Sequence, residues 1–311
     1  MSGSPLILSF GSINIDITAR GQKLAVPGET VHADTYAIGL GGKGANQGAA
    51  AGRLGAGCGV RSALVGRIGD DAFGVQARAA LQTFTVDLDA VRMDANAPTG
   101  LALIGVGPGG ENCITVVGGA NMCVDHSDVS RADTLFSAAS VLLLQLEVPV
   151  AAVLAAARRA RDNGCCVILD PAPIPSCPVP DELWSLADIV TPNETETAAL
   201  CGILPMNEQE AEKAARLLLD RGVGTAIVKM GSRGVWWQNR TASGFIPPFP
   251  VTPVDTVAAG DCFNAGLAVA MALKKPLAEA VRFAAATAAL SVTKPGAAQA
   301  APEWDSVVAM L

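Results

Sequence analysis

The chain has 311 residues, 50% of them hydrophobic and 16% charged, which is enough apolar material for one oversized α/β domain and argues against disorder. Aromatic residues make up only 4%, so the core has to be built from Ala, Val, Leu and Ile. A net charge of -7 with no basic run argues against nucleic acid as a main partner, because affinity for a phosphate backbone comes from clustered Lys and Arg.

In chain order, the first apolar run of strand length covers residues 6–10. The opening segment has no positive n-region and no cleavage pattern, and Gly11, Ser12 and Asn14 break its apolar stretch, so no signal peptide is expected. A segment near 15–38 departs from strand-helix alternation. It leads into Gly39-Leu-Gly41-Gly42-Lys43-Gly44, which satisfies G-x-G-x-x-G. No Asp or Glu follows about 20 residues later to take a ribose hydroxyl, and Gly44 stands where a phosphate-binding loop needs Ser or Thr. Two readings stay open. The glycines form a tight strand-to-helix turn, or they let the backbone approach a ligand while Lys43 and Asn46 offer donors to its hydroxyls.

The next irregular segment, near 99–117, contains two apolar runs at 101–106 and 112–117 around the turn Gly107-Pro108-Gly109-Gly110, the pattern of a hairpin. Together with 15–38 it is expected to form a small inserted β-sheet, a lid on the larger domain. Such a sheet has exposed edges and an apolar face, needs cover from the main domain or a second subunit, and points to a homodimer. His126-Ser127-Asp128 has no nucleophile elbow beside it and reads as surface.

Beyond this point, runs at 141–146, 166–169, 189–191 and 225–230 are apolar throughout, as strands of a parallel sheet covered on both faces are. Pro149 opens a helix that stops at Asn163-Gly164, and Asn207 caps another that stops at Gly222. The expected fold is a three-layer α/β/α domain with a mostly parallel central sheet, a single catalytic domain over 1–311 carrying the β-sheet lid. Eight scattered cysteines without a C-x-x-C pair suit a reducing cytoplasm and give no metal site. The longest apolar helix candidate, 262–273, contains Asn264 and ends at Lys274-Lys275, well short of the roughly 20 residues of a membrane span.

Two polar segments carry candidate chemistry. In Thr191-Pro-Asn193-Glu-Thr-Glu196, Asn193 and Glu196 are spaced for an N-cap with its reciprocal partner, or for pointing together at metal-bound water, and both can hold. In Asp255-Thr-Val-Ala-Ala-Gly260-Asp261, small residues ahead of a helix leave its first N–H groups open as an anion site. Asp261 at its mouth is a candidate base, or an ordinary helix carboxylate favoured by about 0.3–1 kcal/mol with the dipole.

Taken with Gly11-Ser-Ile-Asn14-Ile-Asp16, Pro27-Gly-Glu-Thr30, Gly41-Gly-Lys-Gly-Ala-Asn46-Gln47, Gln145-Leu-Glu147, Asp170-Pro-Ala-Pro173 and Gly231-Ser-Arg-Gly234, the ordered set resembles the ribokinase family. That family lies within the larger pfkB group of sugar and nucleoside kinases, and the likeness runs essentially end to end. It implies transfer of the γ-phosphate of ATP to the 5-hydroxyl of D-ribose. Asn14, Asp16, Gly42, Lys43, Asn46 and Glu147 match the residues that hold the sugar, Asp261 the general base, and the N–H groups of Ala259, Gly260 and Asp261 the anion hole. Asn193, Lys229, Gly231, Ser232, Gly234 and Gly260 match the nucleotide border, and Asn193 and Glu196 the pair that organises Mg2+ through water.

The resemblance also implies a K+ site at Asp255, Val257, Ser291, Lys294, Gly296 and Ala300. Here Ala300 departs from the expected serine, and Ala285 is smaller than the polar residue often found beside adenine. Kinases of the same group acting on deoxyribose, fructose or a nucleoside are the alternative, although a hydroxyl partner left empty at Asn14 and Asp16 disfavours deoxyribose. A sugar-binding protein without catalysis is disfavoured by the intact Ala-Ala-Gly-Asp261, and a dinucleotide oxidoreductase by the missing acidic residue.

Overall fold

The computed structural model describes residues 3–311. The N-terminal part runs β1 (Leu6–Phe10), β2 (Asn14–Gly21), β3 (Ala33–Gly41), α1 (Lys43–Ala56), β4 (Arg61–Gly69), α2 (Ala72–Gln82), β5 (Val86–Asp87), β6 (Val91–Asp94), β7 (Gly100–Val106) and β8 (Asn112–Val117). The middle follows as α3 (His126–Arg131), α4 (Asp133–Ala138), β9 (Ala139–Leu144), α5 (Val150–Asp162), β10 (Cys166–Leu169), α6 (Asp181–Leu186), β11 (Ile189–Val190), α7 (Glu194–Cys201) and α8 (Glu208–Asp220). The chain closes with β12 (Thr225–Lys229), β13 (Val235–Asn239), β14 (Ser243–Ile246), α9 (Ala259–Ala272), α10 (Leu277–Ser291) and α11 (Trp304–Met310).

The large sheet has the order β14-β13-β12-β11-β10-β9-β1-β4-β5, with β6 also on β4, and every pairing from β12 to β5 is parallel. Alternation along β1 shows why its strands are apolar throughout: Leu6, Leu8 and Phe10 face a core closed by α3 to α6 and α8, while Ile7 faces α1, α9, α10 and α11. The expected three-layer arrangement is therefore present. Its helices end as their capping residues dictate, with Asn207 accepting from Glu210 N at 3.0 Å and Gly164 and Gly222 in left-handed backbone after α5 and α8.

A second sheet, β3-β2-β7-β8, projects from the first. The β7–β8 hairpin pairs Leu101 with Val117 through Val106 with Asn112, as the glycine-rich turn predicts. Less local is the parallel pairing of β2 with β7, which sets Asn14 opposite Gly100 and Asp16 opposite Ala102. On the other side β3 sets Gly41 opposite Asn14. Asp16, Ala102 and Val116 thus share one face, while Ile15, Leu40 and Leu101 share the other and join a third core with α1 and α2.

Several boundaries differ from expectation. The central strand ends at Leu144 rather than at 146, which frees Gln145 and Glu147 to project past the sheet edge. Strands β11 and β12 each end one residue earlier than expected, at Val190 and Lys229. The helix expected from 262 begins at Ala259, because Ala258 in left-handed backbone (φ 58°) turns the chain directly into it. Among the described residues, no helix is long and apolar enough to cross a membrane.

Candidate active site

The carboxyl ends of parallel strands open a crevice wherever helices leave to opposite faces. Here that edge gathers Gln145 and Glu147 after β9, Asp170 after β10, Asn193 and Glu196 after β11, and Lys229 at the end of β12. The first turn of α1 adds Lys43, Asn46 and Gln47, α9 adds Asp261, and β2 brings Asn14 and Asp16 from the second sheet.

Close backbone approach makes the α1 corner possible. Gly42 is left-handed (φ 86°), and a Cβ on it would lie 2.8 Å from Asn14 N, so no side chain fits there. The glycine-rich run is therefore the tight strand-to-helix turn from β3 to α1, and that turn sets Lys43 and Asn46 at the crevice. Glu147 Oε2 accepts from Ser12 Oγ at 2.5 Å and from Lys43 N at 2.9 Å, tying this corner to the end of β9.

Asp261 is 4% exposed and accepts from Asn46 Nδ2 at 3.1 Å and Gln47 Nε2 at 3.0 Å, one donor for each carboxylate oxygen. Burial pushes its pKa up to about 6, against the pull of Lys43 and of those two hydrogen bonds, with Asp170 pushing the same way as burial. Asp16 is also raised to about 6, by burial and then by the charges of Glu147 and Asp261. Asn46 Oδ1 is buried with no hydrogen-bond partner among the described residues, an acceptor left for a hydroxyl.

A cavity of about 830 Å³ extends from Asp261 toward α10. Its walls differ in polarity. One end carries Lys43, Asp170, Asn193, Glu196, Lys229 and the start of α9, and the other carries Val235, Phe249, Val251, Ala285, Ala288, Ala289 and Val292. At the polar end, Asp170 lies between Lys43 Nζ (3.6 Å) and Lys229 Nζ (3.5 Å) and accepts from Gln47 at 3.2 Å. Burial opposes its charge, but the two ammonium groups outweigh burial and hold its pKa below the ordinary value. Lys43 is likewise opposed by burial, and Asp170, Asp261, Glu147 and Glu196 together raise its pKa above the ordinary value.

The first amides of α9 face this region. Ala259 N already donates to Thr256 O at 3.3 Å, so Gly260 and Asp261 keep the N–H groups without a partner among the described residues. Gly231, Ser232 and Gly234 line the same cavity, with both glycines in left-handed backbone. At α7, Asn193 and Glu196 form the expected capping box: Asn193 N donates to Glu196 Oε2 at 2.8 Å and Glu196 N to Asn193 Oδ1 at 2.9 Å. Each Glu196 oxygen takes one hydrogen bond and keeps a lone pair, and Glu196 lines the cavity, which suits a water-bound cation. No cluster of three or more His, Cys, Asp or Glu able to cage a metal directly exists among the described residues.

Behind α9, the Asp255 carboxylate accepts from Val257 N and Gly296 N, both at 3.0 Å, and Val254 N and Asp255 N donate to Val292 O. Lys294 N donates to Ser291 O at 3.3 Å. These bonds join Asp255, Val257 and Gly296 directly, while Ser291 and Lys294 pair with each other on either side of Val292. Ala300 sits in a separate turn, Ala298–Ala300, whose flanking carbonyls of Gln299 and Ala301 accept from Arg53 at 2.8 and 2.9 Å.

The expected sugar-side and nucleotide-side residues thus meet around Asp261. Sequence reasoning left out Asp170, Gln47 and Gln145 as site members although each stood inside a quoted motif. Gln47 bridges Asp170 and Asp261 and itself accepts from Gln145 Nε2 at 2.6 Å. As expected, His126 is exposed, whereas its neighbour Asp128 is buried against Arg67 at 2.7 Å.

Comparison with known proteins follows the same lines. Residues 4–304 match the family model described as pfkB family carbohydrate kinase. The chain is 40% identical over 293 residues to a ribokinase of Haemophilus influenzae, covering 94% of each. It is similar to the structure of Arabidopsis thaliana ribokinase complexed with ribose and ATP, with a TM-score of 0.90 at 35% identity over 99% of this chain and 98% of that one. A ribokinase structure from Thermotoga maritima superposes with a TM-score of 0.87 at 34% identity over 98% of both chains.

Proposed function

This chain belongs to the pfkB family of carbohydrate kinases, and on that premise we propose that it transfers the γ-phosphate of ATP to the 5-hydroxyl of D-ribose, giving D-ribose 5-phosphate and ADP. The observation that carries this reading is the position of Asp261. One buried carboxylate stands where a cluster of polar side chains meets the charged end of a cavity of about 830 Å³.

Each polar group then has a task. Asn14, Asp16, Lys43, Asn46 and Glu147 pair the ring hydroxyls and leave the primary alcohol toward Asp261, and Gly42 keeps the corner clear. Asp261 takes the proton of that alcohol as its oxygen attacks phosphorus, and a pKa near 6 leaves it ionised at neutral pH yet basic enough to accept it. The N–H groups of Gly260 and Asp261, with Ala259 beside them and the α9 dipole behind, stabilise the charge on the transferring phosphoryl oxygens, as Lys43 and Lys229 do. Asn193 and Glu196 would hold Mg2+ through water, and that ion would supply positive charge against the phosphates. Lys229, Gly231, Ser232 and Gly234 border the nucleotide. Asp255, Val257, Ser291, Lys294, Gly296 and Ala300 would hold K+, which would supply positive charge behind the backbone dipoles of the anion hole.

The segments near 15–38 and 99–117 serve as a lid of the single catalytic domain, closing the face of Asp16, Ala102 and Val116 over the sugar to exclude water. On the opposite face, Tyr36, Ile38, Leu103 and Val117 are exposed apolar residues, and their cover is a second copy of the chain in a homodimer. All eight cysteines are free thiols, which suits the cytoplasm.

ADP release measured over a panel of pentoses, hexoses and nucleosides, with the product located by 31P NMR, tests the reading. D-ribose should be the best acceptor and carry phosphate at C5. Phosphate at C1, or fructose turned over far above ribose, overturns the substrate assignment.

A further inference from the structure

We propose that Asn121 sets the polarity of Asn14, so that Asn14 meets the sugar as a hydrogen-bond donor. This rests on the reading of the crevice as a sugar site. Asn121 is 1% exposed, in the turn Gly119–Cys123 that follows β8. Its Oδ1 accepts from Ile13 N at 2.8 Å, and its Nδ2 donates to Ile13 O at 3.1 Å and to Asn14 Oδ1 at 2.7 Å.

A backbone N–H can only donate and a carbonyl can only accept, so Ile13 dictates which end of the Asn121 amide is nitrogen. One hydrogen of that nitrogen goes to Ile13 O, and the other leaves Asn14 no choice but to present Oδ1 to it. Asn14 Nδ2 is then the free end, on the same face of β2 as Asp16. A sugar hydroxyl has one proton to give and lone pairs to receive. Between Asn14 Nδ2 and the Asp16 carboxylate it can do both. With the Asn14 amide reversed, two acceptors would compete for one proton.

Asn121 is therefore a positioning residue, acting through Asn14. In Asn121→Asp, the carboxylate still accepts from Ile13 N but sets an acceptor against both Ile13 O and Asn14 Oδ1, so the Asn14 amide turns over to donate to it. Steady-state kinetics should show KM for D-ribose raised about 10- to 100-fold, the scale of one lost and one mismatched hydrogen bond, with KM for ATP within about twofold. Asn14→Ala should raise the sugar KM by itself, and adding Asn121→Asp to it should raise it no further. Unchanged sugar KM in Asn121→Asp, or an equal rise in both backgrounds, overturns the proposal. Thermal melting and the ATP KM report whether the variant is folded. Should it fail to fold, Gly100→Ala perturbs the same pair, since its Cβ would lie 2.1 Å from Asn14 Oδ1 and 2.2 Å from Asn121 Nδ2. The same split between sugar and ATP is expected there, and an unmoved sugar KM is again refutation. A wild-type protein that phosphorylates no sugar sinks the sugar-site reading itself, and this inference with it.

Discussion

Replacing Asp261 by Asn should make the free protein more stable while nearly abolishing its turnover. Burial raises the Asp261 pKa from the ordinary 3.8 to about 6. Between those values the folded state binds a proton that the unfolded state has lost, so ionisation of Asp261 costs stability. The cost is present in full above pH 6 and fades as pH falls toward 4. About two pH units correspond to at most about 3 kcal/mol. The amide side chain carries no charge to desolvate, and its NH2 group finds an acceptor if Asn46 turns over its own amide, because Asn46 Oδ1 has no partner. Thermal denaturation of ligand-free protein should therefore show Asp261→Asn melting several degrees above wild type at pH 7.5 and approaching it at pH 4–5. In the same preparation kcat should fall by about 10²–10⁴, the usual worth of a positioned base. A lower melting temperature at pH 7.5 would refute the desolvation argument, and a kcat near wild type would refute the role of base.

Other expectations follow from neighbouring groups. Asp170 and Asp261 both touch Gln47 Nε2, so they lie within about 6 Å, where a full charge at an effective dielectric near 20 is worth about 3 kcal/mol at most. Asp170→Asn should move the acid limb of the kcat/KM profile, set by Asp261 near pH 6, downward by about one unit, and a limb that stays or rises contradicts this. Leu103→Asp should weaken self-association in sedimentation, whereas Ile104→Asp, on the Asp16 face, should raise the sugar KM with ATP affinity unchanged. A monomer at micromolar concentration with full activity would remove the dimer. Activity should be higher in K+ than in a bulky organic cation at matched ionic strength, and equal rates would count against an occupied cation site.

Where local chemistry decides an element, the sequence suffices to locate it. Leu6–Phe10 and Cys166–Leu169 end where their apolar runs end, and Asn193 with Glu196 caps α7 because both partners lie within one turn. The start of α9 was not legible, since Ala259 and Gly260 carry no capping signal and the turn depends on Ala258 in left-handed backbone. The two segments near 15–38 and 99–117 were expected to share one sheet, but its strand order and register were hidden. Parallel β2 and β7 are far apart in the chain, and nothing in either strand names its partner. The lysine clamp on Asp170 joins the ends of two strands and a helix, so it exists only once the sheet order is set.

Asn14 lies between Gly41 and Gly100 across the small sheet, and this limits the routes by which acceptor preference can drift. A Cβ at 41 would come 1.9 Å from the Asp16 carboxylate, and one at 100 would strike Asn14 itself. Space left by a smaller acceptor cannot be refilled from either position. Ala102 and Val116 share the face of Asp16 and already carry side chains, so exchange there starts from a Cβ that the backbone accommodates. Saturation libraries selected on a new sugar should thus return glycine alone at 41 and 100, while altered acceptor preference should arise at 102 and 116 or by exchange at Asn14 and Asp16 themselves.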